Sequence, residues 1–183
     1  MKKRYGILLL ALATLAVAVS VGVGVYAYMV KSSDTVTNEL IPGQVDCQVV
    51  ETFDGEKKTS ITVKNTGNVE AYIRVRLVTY WVTSEGSIAP KASEMPTFTC
   101  NSTWFKGSND TYYYTAPVNP GEFTADLLPT GATIQLKQDG EYYQVVEVFA
   151  EAIQSLPAAA VEGVWPVQVN GTNYTLSPRE ETP

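Results

Sequence analysis

The chain has 183 residues, with 13 basic and 19 acidic side chains, a formal net charge of −6 and no histidine. Without imidazole there is no HExxH zinc protease, no Ser-His-Asp or Cys-His catalysis and no histidine-mediated proton transfer. The acidic balance argues against nucleic acid and anionic membrane as partners of a folded domain, because both repel it.

In chain order, Met1-Lys2-Lys3-Arg4 is a short basic start, and no charge recurs from Tyr5 to Val30, a run of 26 residues. A basic n-region, an apolar h-region and the small-residue end Val25-Tyr26-Ala27 are the parts of a secretory signal peptide. Residues 1–27 are therefore the predicted signal, cleaved near Ala27 to leave Tyr28 or a residue soon after as the new N-terminus. The alternative is an uncut anchor, since about 20 apolar residues span a bilayer. Membrane contact is in either case confined to residues 1–30, and the positive start places the remainder outside the cytoplasm, secreted or at the cell surface. Cleavage leaves 10 basic and 19 acidic side chains, a formal charge of −9. The roughly 155 residues that remain suffice for one domain with a real core.

Residues 28–44 form a leader. Thr35, Val36, Thr37, Leu40 and Ile41 are β-prone, whereas Ser32, Ser33, Asp34 and Asn38 make the segment polar. Such a leader is a candidate strand for the exposed sheet edge of another subunit. An ordinary terminal strand of its own domain, or a disordered leader, is the alternative.

From residue 45 to 176 the period is two. Val69, Ala71, Ile73, Val75 and Leu77 fall on one face of a strand, with Glu70, Tyr72, Arg74 and Arg76 on the other, the pattern of a half-buried antiparallel strand. Further strands are expected over 45–53, 59–64, 97–105, 111–116, 133–137 and 142–153. Asp54-Gly55, Thr66-Gly67-Asn68, Pro120-Gly121 and Asp139-Gly140 supply turn chemistry between them. Ser155 to Gly163, with an N-cap serine, an early proline, an alanine run and a closing glycine, predicts one short helix. The polar tail 177–183 is expected to fray. The fold class is all-β, an antiparallel β-sandwich or jelly roll with one short helix.

Cys47 and Cys100 are the two cysteines. In an oxidising compartment they permit one disulfide, the alternative being two buried thiols in separate strands. Alone they half-fill a tetrahedral zinc site, so neither a metal centre nor a cofactor is expected. No calcium-loop pattern occurs among the scattered carboxylates. Leu128-Pro129-Thr130-Gly131 lacks the residue, the position and the apolar tail of a sorting signal and reads as a surface turn. Tyr112, Tyr113, Tyr114, Tyr142 and Tyr143 read as cross-strand packing rather than a ligand face, with Tyr112 and Tyr114 sharing one side.

Three stretches carry a family resemblance. Tyr26-Ala27-Tyr28 leads through Ser33-Asp34-Thr35-Val36-Thr37-Asn38 to Gly43-Gln44-Val45. Val63-Lys64-Asn65-Thr66-Gly67-Asn68-Val69-Glu70-Ala71-Tyr72-Ile73-Arg74-Val75 follows, and then Tyr112-Tyr113-Tyr114 with Pro117-Val118-Asn119-Pro120-Gly121. Together they resemble the SipW-dependent exported proteins, the family of the TasA and CalY (camelysin) biofilm-fibre subunits, over residues 26–128. The resemblance implies a bacterial source, a dedicated signal peptidase as processing partner and self-association into surface fibres or biofilm matrix. In a bacterial chain the four Asn-x-Ser/Thr sequons, at Asn101, Asn109, Asn170 and Asn173, follow from composition. Camelysin has been classed as a metallopeptidase, but no metal-ligand pattern supports an enzyme here. The leading expectation is a non-enzymatic fibre subunit, and the alternative is a monomeric extracellular binding module.

Overall fold

The computed structural model describes residues 42–179. The export segment, the cleavage position Ala27–Tyr28, the leader residues Thr35, Val36, Thr37, Leu40 and Ile41, and the last four residues lie outside the described part.

Ten strands and one helix follow in order: β1 (Cys47–Phe53), β2 (Lys57–Asn65), β3 (Ala71–Thr83), β4 (Trp104–Lys106), β5 (Thr111–Tyr114), β6 (Ile134–Gln135), β7 (Gln138–Asp139), β8 (Tyr142–Gln154), α1 (Ala158–Val164), β9 (Val167–Val169) and β10 (Leu176–Pro178). All pairings are antiparallel. One sheet has the order β1-β2-β6, the second β4-β5-β3-β8-β7, and β9 and β10 form a separate hairpin. The fold is thus an all-β sandwich, as the alternation predicts.

Turn chemistry fixes the register where it was expected. Asp54 Oδ1 accepts the N–H groups of Glu56 and Lys57 at 3.1 and 2.9 Å, closing the β1–β2 hairpin. These two backbone bonds hold the Asp54 carboxyl below its usual pKa. Gly55 supplies the positive φ of 99° that the turn requires.

Between the two sheets lies the larger core. Ile61 and Val63 of β2 pack on Ile73, Val75 and Leu77 of β3, Val146 of β8, Trp104 and Tyr112. A second core lies on the opposite face of the five-stranded sheet. There Tyr72 and Tyr113 meet Val161 and Trp165 of the helical segment and Val167 and Leu176 of the C-terminal hairpin. Tyr72, expected on a solvent face, is fully buried. Its hydroxyl donates to Tyr174 O at 2.7 Å. The alternation assigned its face correctly; the C-terminal layer that covers that face is a tertiary fact.

Other differences have local causes. The strand expected over 97–105 is reduced to Trp104–Lys106, because Asn101 builds a turn. Its Oδ1 accepts Thr103 N at 3.2 Å, and its carbonyl accepts Trp104 N at 2.9 Å. Ser155 does not cap the helix: its hydroxyl donates to Glu70 Oε1 at 2.8 Å, and the cap position is Pro157, without a side-chain bond. At the other end Arg179 donates to the carbonyls of Trp165 and Val167 at 3.4 and 3.2 Å and to that of Glu162. A cation thus closes the helix where the sequence offered only Gly163. Ser177 and Pro178, expected to fray, pair with Gln168 and Val167.

Cys47 and Cys100 are free thiols. Both border the larger core, but Cys47 sits near Glu151 of β8 and Cys100 lies 3.9 Å from Trp104 O, beside β5. The two thiols are unbridged in this structure.

Two expectations follow from the cores. Replacing Ile73 by Asp buries an unpaired carboxylate between the sheets and should remove several kcal/mol of a total of about 5–15; thermal denaturation of the variant should show collapse of the transition. Burial first, and then the charge of Glu70, pushes the Tyr72 hydroxyl up to about 12. The folded pKa lies above the unfolded one near 10, so this contribution to stability is complete below pH 10 and lost as pH rises through 12. Burial also raises the Tyr112 hydroxyl, so ultraviolet titration should show late ionisation from both tyrosines, and Tyr72→Phe should remove the part near pH 12.

Candidate assembly surface

β8 is the longest strand at a free margin. β3 pairs with it along its whole length, whereas β7 covers only Tyr142 and Tyr143 on the other side. Gln144 N still finds a carbonyl, that of Lys137, at 2.8 Å. From Val145 to Gln154 no backbone partner occurs on that side among the described residues. Every second residue of this stretch presents an N–H and a C=O outward. Such an edge is a template for another strand.

β1 is the margin of the facing sheet and approaches β8. Between them runs a groove of about 340 Å³, lined by Val49, Glu51, Lys58, Tyr80 and residues 145–148. Its polar end is built by a bulge. Pairing shifts between Thr52 and Phe53, so Phe53 opposes Lys58 while Thr52 opposes Ser60. The extra residue turns Lys58 inward, where it is 5% exposed. Lys58 Nζ donates to Glu51 Oε1 at 2.7 Å and lies 5.3 Å from the Phe53 ring centre. Along β8 the groove is thus lined by Val145, Val146 and Val148 together with the carboxylate of Glu147, and a satisfied ion pair closes one end.

The Asn-Thr-Gly turn fixes the course of residues 42–46. Asn65 is fully buried, and its Nδ2 donates to Val69 O and Val118 O, both at 2.8 Å. Its Oδ1 accepts Gly67 N at 3.0 Å. From this corner Thr66 N and Gly67 N donate to Asp46 O, and Asn68 N donates to Gln44 O. Asn68 also accepts Gln44 N at 2.6 Å and donates to Pro42 O at 3.2 Å. A Cβ on Gly67 would stand 2.3 Å from Gln44 O, which excludes every larger residue without backbone movement. Gly43 lies against Val69 and Gln154. The described chain therefore starts at the end of β8 that carries Gln154, beside the open edge.

The remaining sequence candidates fall into structural roles. Tyr112 joins the larger core with Phe98 at 5.4 Å, and Tyr114 packs on Trp104 at 5.2 Å on the same side. Tyr113 stacks on Phe105 at 5.1 Å on the other. Leu128-Pro129-Thr130-Gly131 is a turn closed by Ala132 N on Pro129 O at 2.9 Å. Asn101, Asn170 and Asn173 accept nearby backbone N–H groups and act as turn formers. Burial, with Asp46 and Glu151 nearby, raises the Cys47 pKa and keeps that thiol protonated. Among the described residues no three His, Cys, Asp or Glu side chains cluster as metal ligands, and no helix is long and apolar enough to cross a membrane. The open β8 edge and its groove were not read from the sequence, because an edge is defined by a missing neighbour.

Comparison with protein-family models, curated proteins and solved structures finds no match.

Gly67→Ala should force Gln44 away and cost about 1–3 kcal/mol. The Gln44 amide should then lose protection against hydrogen exchange, while amides in the middle of β3 keep theirs.

Proposed function

We propose that the protein is an exported structural subunit of cell-surface fibres or biofilm matrix, assembling by addition of its mature N-terminal leader to the sheet edge of another copy. The observation that carries this reading is the unpaired β8 edge from Val145 to Gln154, bordered by a groove in which Val49, Val145, Val146 and Val148 stand beside polar side chains. Natural proteins cover or blunt such edges, and a ten-residue one without proline fits strand addition. Lengths agree: ten residues of edge extend about 34 Å, and the fourteen residues 28–41 extend at most about 48 Å. Main-chain hydrogen bonds supply affinity in this mechanism. Alternate side chains of the leader, Val36 and Leu40 among them, set the register against the groove. The resemblance of residues 26–128 to the fibre-forming exported family supports the same reading and implies a dedicated signal peptidase during export.

A Val36→Pro, Leu40→Pro double variant removes two donors from the leader and fixes φ at both positions. That variant, or deletion of residues 31–41, should keep the thermal transition of the body but lose concentration-dependent polymerisation. Sedimentation and negative-stain microscopy read the outcome. Unimpaired fibres from the deletion variant would eliminate strand addition by the leader, and a strictly monomeric wild type would favour a binding module.

A further inference from the structure

A second cleft lies at the covered end of β8, where the chain crosses from one sheet to the other. β6 pairs with β2 in the three-stranded sheet and β7 with β8 in the five-stranded one, with Leu136 and Lys137 as the link between them. Both linking residues are pinned. Leu136 N donates to Glu56 O at 2.9 Å, Lys137 N donates to Gln144 Oε1 at 3.2 Å, and Lys137 O accepts Gln144 N at 2.8 Å. Gln144 is buried, and its Nε2 donates to Glu94 O at 2.8 Å and Ser93 Oγ at 3.1 Å. On this fixed floor opens a cleft of about 330 Å³, lined by Glu56, Gln135, Lys137, Gln138 and Tyr143. Walls held by backbone bonds cost a ligand little ordering when it binds.

The lining selects the ligand chemistry. Tyr112 and Tyr113 are buried, but Tyr142 and Tyr143 remain 37% and 42% exposed, so cross-strand packing does not account for them. Gln138 is the register partner of Tyr143, which sets an amide beside a phenol ring on one face. Glu56 and Lys137 bring one charge of each sign, and neither forms an ion pair among the described residues. The amides of Gln135 and Gln138 both donate and accept. A sugar hydroxyl does the same, and the C–H face of a pyranose ring suits the flat side of a tyrosine. An apolar ligand would leave these polar groups unpaired, and a polyanion is repelled by a chain of net charge −6. Small-molecule pockets begin at about 300 Å³, which the cleft just exceeds. We propose that it is a binding site for a neutral carbohydrate, a short stretch of a polysaccharide chain, with Tyr143 as the stacking face and Gln135, Gln138, Glu56 and Lys137 as partners of the hydroxyl groups.

The test is saturation-transfer nuclear magnetic resonance on the mature chain, which reads monomer and fibre alike and so stands apart from strand addition. The probes are soluble hexasaccharides of glucose, N-acetylglucosamine, galactose and mannose, with hexagalacturonate as the charged control. Transfer to at least one neutral hexasaccharide is expected, with an affinity that changes less than about twofold between about 0.05 and 0.5 M salt. Tyr143→Ala should weaken binding about tenfold, and the double variant Gln135→Ala, Gln138→Ala by a similar factor. Tyr143→Phe keeps the ring and should stay within about threefold of the wild type. Phe123→Ala, at an exposed ring beside Lys64, should bind as the wild type does. No transfer to any neutral hexasaccharide, or unchanged affinity in folded Tyr143→Ala and in the double variant, would overturn the site. Tighter binding of hexagalacturonate than of every neutral probe would overturn the neutral-ligand assignment.

Discussion

The buried amide of Asn65 is the constraint on which both sheets depend. It stands where the chain leaves the three-stranded sheet and turns into β3 of the five-stranded one. Its side chain satisfies the carbonyls of Val69 and Val118 and the N–H of Gly67. Its backbone donates to Glu122 O and accepts from Gly121 N, both at close to 2.9 Å. Five partners from two segments, 67–69 and 118–122, thus converge on one residue. A leucine there would leave the Val69 carbonyl without its side-chain donor, at about 1–3 kcal/mol, while the Val118 carbonyl would keep only Ala71 N. The hydrophobic effect requires the two sheets to face each other, but it does not say at what point the chain crosses between them. The directional bonds of Asn65 decide that point, and Gly67 and Asn68 transmit it to residues 42–46.

β3 is central because both of its faces are covered. Ile73, Val75 and Leu77 enter the larger core, while Tyr72 enters the second one. Further along the second face the cover is partial. Arg74 is shielded by Trp165 and tied to Glu151, and Arg76 reaches solvent. The transition from buried tyrosine to exposed arginine within four residues follows the border of the C-terminal layer. A polar group at that border is tolerated because its charge is either paired or hydrated.

How much was legible in the residues varies with the range of the interaction that decides each element. β1, β2, β3, β5 and β8 were readable because alternation and the Asp54-Gly55 and Asp139-Gly140 turns are local signals. Asn101 carried a turn signal too, but Thr97, Phe98 and Thr99 are β-prone neighbours that masked it. β9 and β10 have three residues each, too few for a period to declare itself. Tyr72 and the groove beside β8 belong to a third class. Their state depends on residues remote in sequence, on Trp165 and Leu176 for the tyrosine and on the shortness of β7 for the edge. The Asn-Thr-Gly element was noticed as a family-like pattern, and its physical content is the corner that it builds. The leader itself lies outside the described residues, so its reading as an assembly strand rests on composition and resemblance together with the edge.

The same asymmetry explains why an open edge is tolerable in this protein. An unpaired strand invites indiscriminate pairing unless something selects the partner. Glu147 lies on the outer face of β8, where Glu151 is already paired with Arg74, and the chain carries a formal charge of −6. Two bodies brought edge to edge therefore set like charges against each other, within a screening length of about 8 Å at physiological salt. A leader with one lysine and two carboxylates over residues 28–41 carries little of that charge. In the proposed assembly it would meet the edge at lower electrostatic cost than a second body. Lys58, turned inward by the bulge and held by Glu51, adds a fixed polar stop at one end of the groove, which distinguishes one register from the next. In the proposed strand addition, charge on the body and near-neutrality on the leader would favour a directional contact of β8 with an extended segment over pairing with its own copy.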